Sequence, residues 1–333
     1  MQEIIIKEND AGQRLDKMLA KYMNLAPKSF FYKMLRKKNI TLNQKKAEGS
    51  EKLSVGDTVQ LFLSEETIAN FTEKKQIPIY RETLPILYED AHIILINKPS
   101  GMLSQKAKEG DISAVERLHS HLLANGSFTQ EDFKRFSPSI CNRLDRNTSG
   151  ILIAGKSLIG LQTMAELLKS RTIEKYYLCI VAGEVKKAAV IQGYLKKEKE
   201  KNLVTVVTNC RQKDTQAVWI ETQYQPLAFH NKVSLLQIKL ITGRSHQIRA
   251  HLASIGHPVI GDIKYGDPKI NFIYQKKYAV QSQLLHAYRL KMPKLSGELA
   301  YLSEKEFIAP YPKEFADVIK GEQLVWQHGI PEG

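Results

Sequence analysis

Residues 141–156 read CNRLDRNTSGILIAGK. A polar loop ends at Gly150, and Ile151, Leu152, Ile153 and Ala154 follow with no polar interruption. An apolar run this short, bounded by turn residues, predicts a strand covered on both faces. Just ahead of it stands Asp145, between Arg143 and Arg146. A carboxylate at the mouth of a core strand is costly to desolvate unless a cation pairs with it. Arg143 and Arg146 are the nearest candidates, and together they would keep it ionised. Taken alone, Arg-Leu-Asp-Arg reads better as a structural ion pair at a strand start. The rest of the chain has to decide.

From Leu84 onward the pattern is rich in strands, expected at 92–97, 150–155, 175–181, 203–207, 217–222 and 233–241. Helices are expected at 114–123, 158–170 and 244–254, the second with Leu158, Leu161, Ala165 and Leu168 at helical spacing behind Ser157 as cap. The charged stretch 196–202 is expected at a hairpin tip. Strands and helices without regular alternation predict an α+β domain on a mixed, largely antiparallel sheet. Along 175–181, alternation puts Tyr177, Cys179 and Val181 on one face and Tyr176 and Leu178 on the other.

The first 65 residues form a separate expectation, a small α/β module. A strand at 4–6 leads to a helix with Leu15, Met18, Leu19 and Tyr22 on one stripe. Pro27, at a first helical position, opens a second helix bearing Phe30, Phe31, Met34 and Leu35. Strands at 40–42 and 59–63 close the unit. No acid occurs between Asp16 and Glu48, whereas Lys28, Lys33, Arg36, Lys37 and Lys38 all fall on or beside the second helix. A charge run is usually only a solvated face, but one of a single sign with aromatics interleaved suits RNA docking. Residues 66–84 read as a linker, and 85–325 as the main domain.

A net charge of +14 with a pI near 9.4 points to a polyanionic partner, nucleic acid first. Cys141, Cys179 and Cys210 are odd in number and lack metal-type spacing, so reduced thiols in the cytoplasm are expected. The start MQEIIIKEND lacks a basic region followed by a long apolar run, and no stretch reaches the ~18 apolar residues of a membrane helix. No metal is expected, since His246 and His251 are five apart, on different faces of a helix. No P-loop, dinucleotide fingerprint or methyl-donor glycine motif occurs. The default oligomeric state is a monomer.

The segment Asn142-Arg143-Leu144-Asp145-Arg146-Asn147-Thr148-Ser149-Gly150 resembles the signature of the RluA-type pseudouridine synthases. Two further blocks follow in order: 174–183, EKYYLCIVAG, and 242–252, TGRSHQIRAHL, the latter running through Gly256-His257-Pro258 to Gly261-Asp262 and Tyr265-Gly266. Asn97-Lys98-Pro99-Ser100-Gly101 and Leu285-His286-Ala287 fit as well. Three ordered motifs over roughly residues 85–310 are far more specific than any one of them. Asn142 stands where histidine is more frequent, and Asn147 where aspartate is.

The resemblance implies a pseudouridine synthase fold that needs no cofactor. Asp145 would be its essential carboxylate, acting as nucleophile or base, with Arg249 as ion-pair partner one to two turns into the helix after strand 233–241. Tyr177 would stack on uracil and offer its hydroxyl for proton transfer, with Tyr176 the rival in register. Because a paired uridine cannot reach a buried carboxylate, the nucleotide must be flipped out. Arg143 would fill the gap in the stack or, alternatively, clamp phosphate, as Arg146, Lys98 and Arg244 would. His246 and His286 would be structural, bonding loop backbone. Residues 1–65 resemble an alpha-L RNA-binding domain at Gly12-Gln13-Arg14-Leu15-Asp16 and Gly56-Asp57.

The implied activity is isomerisation of uridine to pseudouridine in structured RNA, large-subunit ribosomal RNA first and transfer RNA second. A rival reading is an RNA-binding protein that has lost catalysis, against which stand the retained Asp145, Tyr177 and Arg249. The lack of a methyl-donor site weighs against a methyltransferase. A glycoside hydrolase needs two opposed carboxylates, and only Asp145 has a motif.

Overall fold

The computed structural model describes residues 1–73, 76–198, 203–207 and 217–326. Lys74, Lys75, Cys210 and the expected hairpin tip over 199–202 lie outside them. The chain divides into two compact units. One takes Met1–Leu95, Gln105–Asn142 and Ile153–Glu166; the other takes Ile96–Ser104, Arg143–Leu152 and the chain from Leu167 onward.

The first unit begins with β1 (Gln2–Ile5), α1 (Leu15–Tyr22), α2 (Lys28–Arg36), β2 (Ile40–Leu42), β3 (Lys45–Lys46) and β4 (Thr58–Leu61). The four strands form an antiparallel sheet in the order β1-β4-β2-β3. Leu15, Met18, Leu19 and Tyr22 of α1 are buried, as their spacing predicts, and pack with Phe31, Met34 and Leu35 of α2. Pro27 is the cap of α2, in extended backbone, rather than its first helical residue. The β2–β3 hairpin was not expected. It turns through Asn43 and Gln44, both left-handed, which suits the twist of paired strands. The supposed linker opens with α3 (Glu65–Asn70), where Ser64 accepts the Thr67 N–H and Glu65 and Glu66 occupy the first turn.

Next come β5 (Ile86–Glu89), β6 (Ile93–Lys98), α4 (Ala114–Ala124), α5 (Gln130–Arg135), β7 (Ser139–Ile140), β8 (Ser149–Gly155) and α6 (Leu158–Ser170). Ser113 with Glu116, and Thr129 with Asp132, form capping boxes that start α4 and α5. Within this unit Lys7 pairs with Asp132 at 2.9 Å and Arg135 with Asp10 at 3.3 Å, tying the N-terminal residues to α5. Every residue of β8 is buried, the two-faced burial that its apolar run predicts.

The second unit is built on β9 (Glu174–Ala182), β10 (Ala189–Glu198), β11 (Leu203–Val207), β12 (Ala217–His230) and β13 (Val233–Leu240). Then follow α7 (Gln247–Ser254), α8 (Pro268–Tyr278), β14 (Leu285–Lys291), β15 (Glu306–Ile308) and α9 (Lys313–Gly321). The strand order β11-β10-β12-β13-β9-β14 is antiparallel throughout, and β14 pairs with β8 in parallel. The sheet is therefore mixed and mostly antiparallel, in an α+β fold.

Three departures have local causes. β12 runs on to His230, past the expected end at 222, because Pro226 sits at a bulge where no ladder donor is needed. α7 starts at Gln247 rather than 244, because His246 adopts a left-handed conformation at φ 56°. α8 was missed although Asp267 caps it and Pro268 follows in its first turn. Leu195, Val204 and Ile220 pack with Ala250 of α7. Leu178, Ile180 and Leu235 pack with Tyr274 of α8 and with Phe315 and Val318 of α9.

Candidate active site

Asp145 lies on the loop before β8, and the loop is held from several sides. Ser104 Oγ accepts the Leu144 N–H at 3.0 Å and donates to the Leu144 carbonyl at 2.8 Å. The Gly101 N–H donates to the Arg146 carbonyl at 3.0 Å, and Arg146 Nε donates back to the Gly101 carbonyl at 3.1 Å. Where β8 begins, Gly150 has φ +107°, and a Cβ there would lie 2.2 Å from the Ala287 carbonyl oxygen. Only glycine lets β14 come this close. Leu144 is buried, whereas Asp145 keeps 25% side-chain exposure and so is only partly covered.

The partner of Asp145 is Arg249, whose terminal Nη1 donates to Oδ2 at 2.8 Å. Because α7 starts late, Arg249 stands in its first turn, not one to two turns in. Arg143 and Arg146 are both exposed and neither pairs with Asp145, which corrects the pairing expected from the motif. Exposed guanidinium groups lose more hydration by closing on a carboxylate than a preplaced buried one does.

Arg249 has a second carboxylate. Its Nε and Nη2 donate to Asp262 at 2.7 and 2.8 Å, a bidentate pair with only 5% of the arginine and none of the aspartate side chain exposed. Burial works against the guanidinium charge, but Asp262 and Asp145 outweigh it and raise the Arg249 pKa. Burial likewise pushes Asp262 up, yet Arg249 and the Lys264 and Tyr265 N–H groups hold it below the usual carboxylate range. Below the guanidinium lies the Tyr265 ring, 5.2 Å away. Asp262 was legible in the sequence as part of Gly261-Asp262 but carried no role there.

Tyr177 is buried on β9, on the same face as Cys179, as alternation requires. Burial lifts its hydroxyl well above the ordinary phenol range, and the Asp145 charge adds to this. Among the described residues its hydroxyl has no hydrogen-bond partner. Tyr176 belongs to the other face, where its hydroxyl donates to Glu174 at 2.6 Å under the Arg289 guanidinium. The Asp145 charge thus acts on Tyr177, while Tyr176 is engaged by Glu174 and Arg289.

Lys98 requires a correction. It was expected to clamp phosphate, but it is fully buried. Its ammonium donates to the carbonyls of Pro99, Met102 and Arg146, each at 2.9 Å. An ammonium has three N–H donors, so all are used inside the protein and none is left for RNA. Burial pushes this amine down to about 7, and only the Asp145 charge opposes it. Lys98 braces the loop from beneath.

Arg244 is exposed, as are Lys28, Lys33, Arg36, Lys37 and Lys38. His246 bonds the Tyr265 hydroxyl at 2.9 Å rather than loop backbone. His286 bonds both Ser149 Oγ at 2.9 Å and the Ala309 carbonyl at 3.2 Å. Among the described residues no three His, Cys, Asp or Glu side chains gather as a metal site would.

A carboxylate with one paired oxygen and a partly exposed side chain can serve as base or nucleophile on a bound group. Set in a protein of net charge +14, it suits an enzyme acting on a polyanionic substrate. Comparison with known proteins is more specific. The family model described as RNA pseudouridylate synthase matches residues 92–254. An uncharacterized RNA pseudouridine synthase of Mycoplasma genitalium is 30% identical over 298 residues, covering 88% of this chain and 90% of that one. Ribosomal large subunit pseudouridine synthase C of Vibrio parahaemolyticus is 29% identical over 327 residues, 96% of each chain. Its counterpart in Escherichia coli K12 is 29% identical over 300 residues, covering 86% of this chain and 87% of that one. In fold, human RNA Pseudouridylate Synthase Domain Containing 4 matches with a TM-score of 0.60 at 24% identity, over 72% of this chain and 94% of that one. The chain belongs to the RNA pseudouridine synthase family.

Proposed function

We propose that this enzyme isomerises uridines of large-subunit ribosomal RNA, with Asp145 as the reacting carboxylate. The target class rests on the relatives named for that activity. The role of Asp145 rests on one observation: its Oδ2 is held at 2.8 Å by a buried guanidinium while part of the side chain stays open. The reaction breaks the bond from ribose C1′ to the base nitrogen, turns the base, and joins C1′ to the base carbon C5. The C5 proton leaves and the freed nitrogen gains one, so no redox or group donor is consumed.

In this reading Asp145 engages the ribose or the ring, and Arg249 orients it. Tyr177, kept protonated by burial, lies against the base and offers its hydroxyl proton. The nucleotide is flipped, with the exposed Arg143 entering the stack and Arg146 and Arg244 on phosphates. The exposed cations on and after α2 dock the RNA, in keeping with an alpha-L module at 1–65. We place the enzyme in the cytoplasm, in keeping with its free Cys141 and Cys179.

The test is a map of pseudouridines in total RNA from cells lacking the gene, complemented with the native chain or with Asp145→Asn. Sites in large-subunit ribosomal RNA return with the native chain alone, while the variant binds that RNA within about twofold of native. Restored sites confined to transfer RNA would show the target to be wrong. Full restoration by Asp145→Asn would falsify the role of the carboxylate.

A further inference from the structure

We propose that Asp262 is a positioning residue for the isomerisation: it occupies one edge of Arg249, confines Asp145 to a single guanidinium contact, and leaves one Asp145 oxygen free to react. This rests on the reading of Asp145 as the reacting group.

A guanidinium presents its donors in a fixed fork, and a carboxylate facing two of them is clasped by both oxygens. Asp262 has taken that clasp, with Nε on Oδ2 and Nη2 on Oδ1. The remaining terminal nitrogen, Nη1, reaches only Oδ2 of Asp145. Among the described residues, Oδ1 of Asp145 has no hydrogen-bond or ion-pair partner. The Tyr265 ring covers one face of the same guanidinium, and its hydroxyl is fixed by the Val204 N–H and by His246, both at 2.9 Å. Arg249 therefore has little freedom to swing its fork onto Asp145. One cation also serves two carboxylates, so each receives less neutralisation than in an isolated pair. That leaves Asp145 with one oxygen open to a bound group, which a fully clasped carboxylate lacks.

Two substitutions separate charge from geometry. Asp262 Oδ1 also accepts the N–H groups of Lys264 and Tyr265, at 2.8 and 3.2 Å. In Asp262→Asn the amide oxygen can keep those turn contacts, but its NH2 then faces the Arg249 Nε–H, donor against donor. Arg249 is released toward Asp145, and a negative charge is removed. Asp262→Glu keeps the charge and displaces it.

The measurement is single-turnover rate on unmodified large-subunit ribosomal RNA, from about pH 5 to about pH 8, with KM read alongside. For Asp262→Asn the plateau rate falls on the order of 10²-fold, KM changes less than about threefold, and the acid limb moves to lower pH. Asp262→Glu loses rate with its limb unmoved. A destabilised variant that unfolds on acidification would move its limb to higher pH, so a folding defect cannot imitate a shift to lower pH. Should Asp262→Asn yield no folded protein, the Glu variant decides: lost rate at constant KM supports the proposal, and native rate overturns it. An Asn variant at native rate, or slowed with an unmoved limb, also overturns it. Asp145→Asn runs in parallel. If that variant turns over, the catalytic reading has failed; if it is inactive while Asp262→Asn is native-like, only the positioning role has failed.

Discussion

His286 has no exposure, and its two ring nitrogens are engaged by Ser149 Oγ and the Ala309 carbonyl. Burial depresses its pKa to about 4, and the carbonyl only partly opposes this. His251, fully buried on α7 with Nδ1 2.8 Å from Thr222 Oγ1, is likewise depressed to about 4 by burial. In the unfolded chain both would titrate near 6.5. Between about pH 6.5 and 4 the unfolded state thus binds protons that the folded state refuses, so stability rises with pH across that window and falls on acidification. Each histidine can remove on the order of 3 kcal/mol by pH 4. Chemical denaturation along a pH series should show this loss, and His286→Gln should reduce the slope by up to about 1.4 kcal/mol per pH unit. An unchanged slope would mean that His286 is already protonated in the fold. Lys98 carries the same lesson about burial: a lysine in a motif reads as an RNA contact, yet its side chain points into carbonyls. Nothing in one sequence tells an inward lysine from an outward one.

At the level of elements, the decisive junction is β8 against β14. Ser149 and Gly150 pair with His286 and Ala287, in parallel, directly after the loop that bears Asp145. Gly150→Ala should destabilise the protein by about 2–5 kcal/mol, combining a left-handed backbone cost with overpacking against the Ala287 carbonyl. A thermal melt checks this; a native midpoint would show that the strands can part without cost. The strand itself, with α1 and α2, was legible because period and burial agree along each; α6 forms where expected, but it buries Gly160 and Met164 rather than the stripe Leu158, Leu161, Ala165 and Leu168. β12 was cut short by Pro226, whose tolerance at a bulge depends on its neighbours. The start of α7 was misjudged by three residues because His246 takes a backbone region that few residues favour, stabilised by a Tyr265 contact nineteen positions away.

For the molecule as a whole, the net charge of +14 is the property RNA meets first. Replacing Lys28, Lys33, Arg36, Lys37 and Lys38 with glutamine should flatten the dependence of log K on log salt by about 0.7–0.9 for each phosphate no longer neutralised. Filter binding across a KCl series reads this directly, and an identical slope would remove the α2 face from the RNA interface. Substitution is a cleaner experiment than deleting the first 65 residues. Deletion would strip Asp132 of Lys7 and Arg135 of Asp10, leaving buried charges in the same unit without those partners.

What the chain determined by itself is local: hydrophobic period, turn chemistry and ordered motifs are properties of neighbouring residues, and they were enough for the α+β class, the family and the candidates Asp145, Tyr177 and Arg249. The pairing of charges was decided only on folding. Arg143 and Arg146 lie one or two residues from Asp145 and are exposed to solvent, while Arg249, 104 positions away, makes the contact and is itself held by Asp262. An ion pair forms where desolvation has already been borne by the surrounding fold, and that condition is set by tertiary packing rather than by distance along the chain.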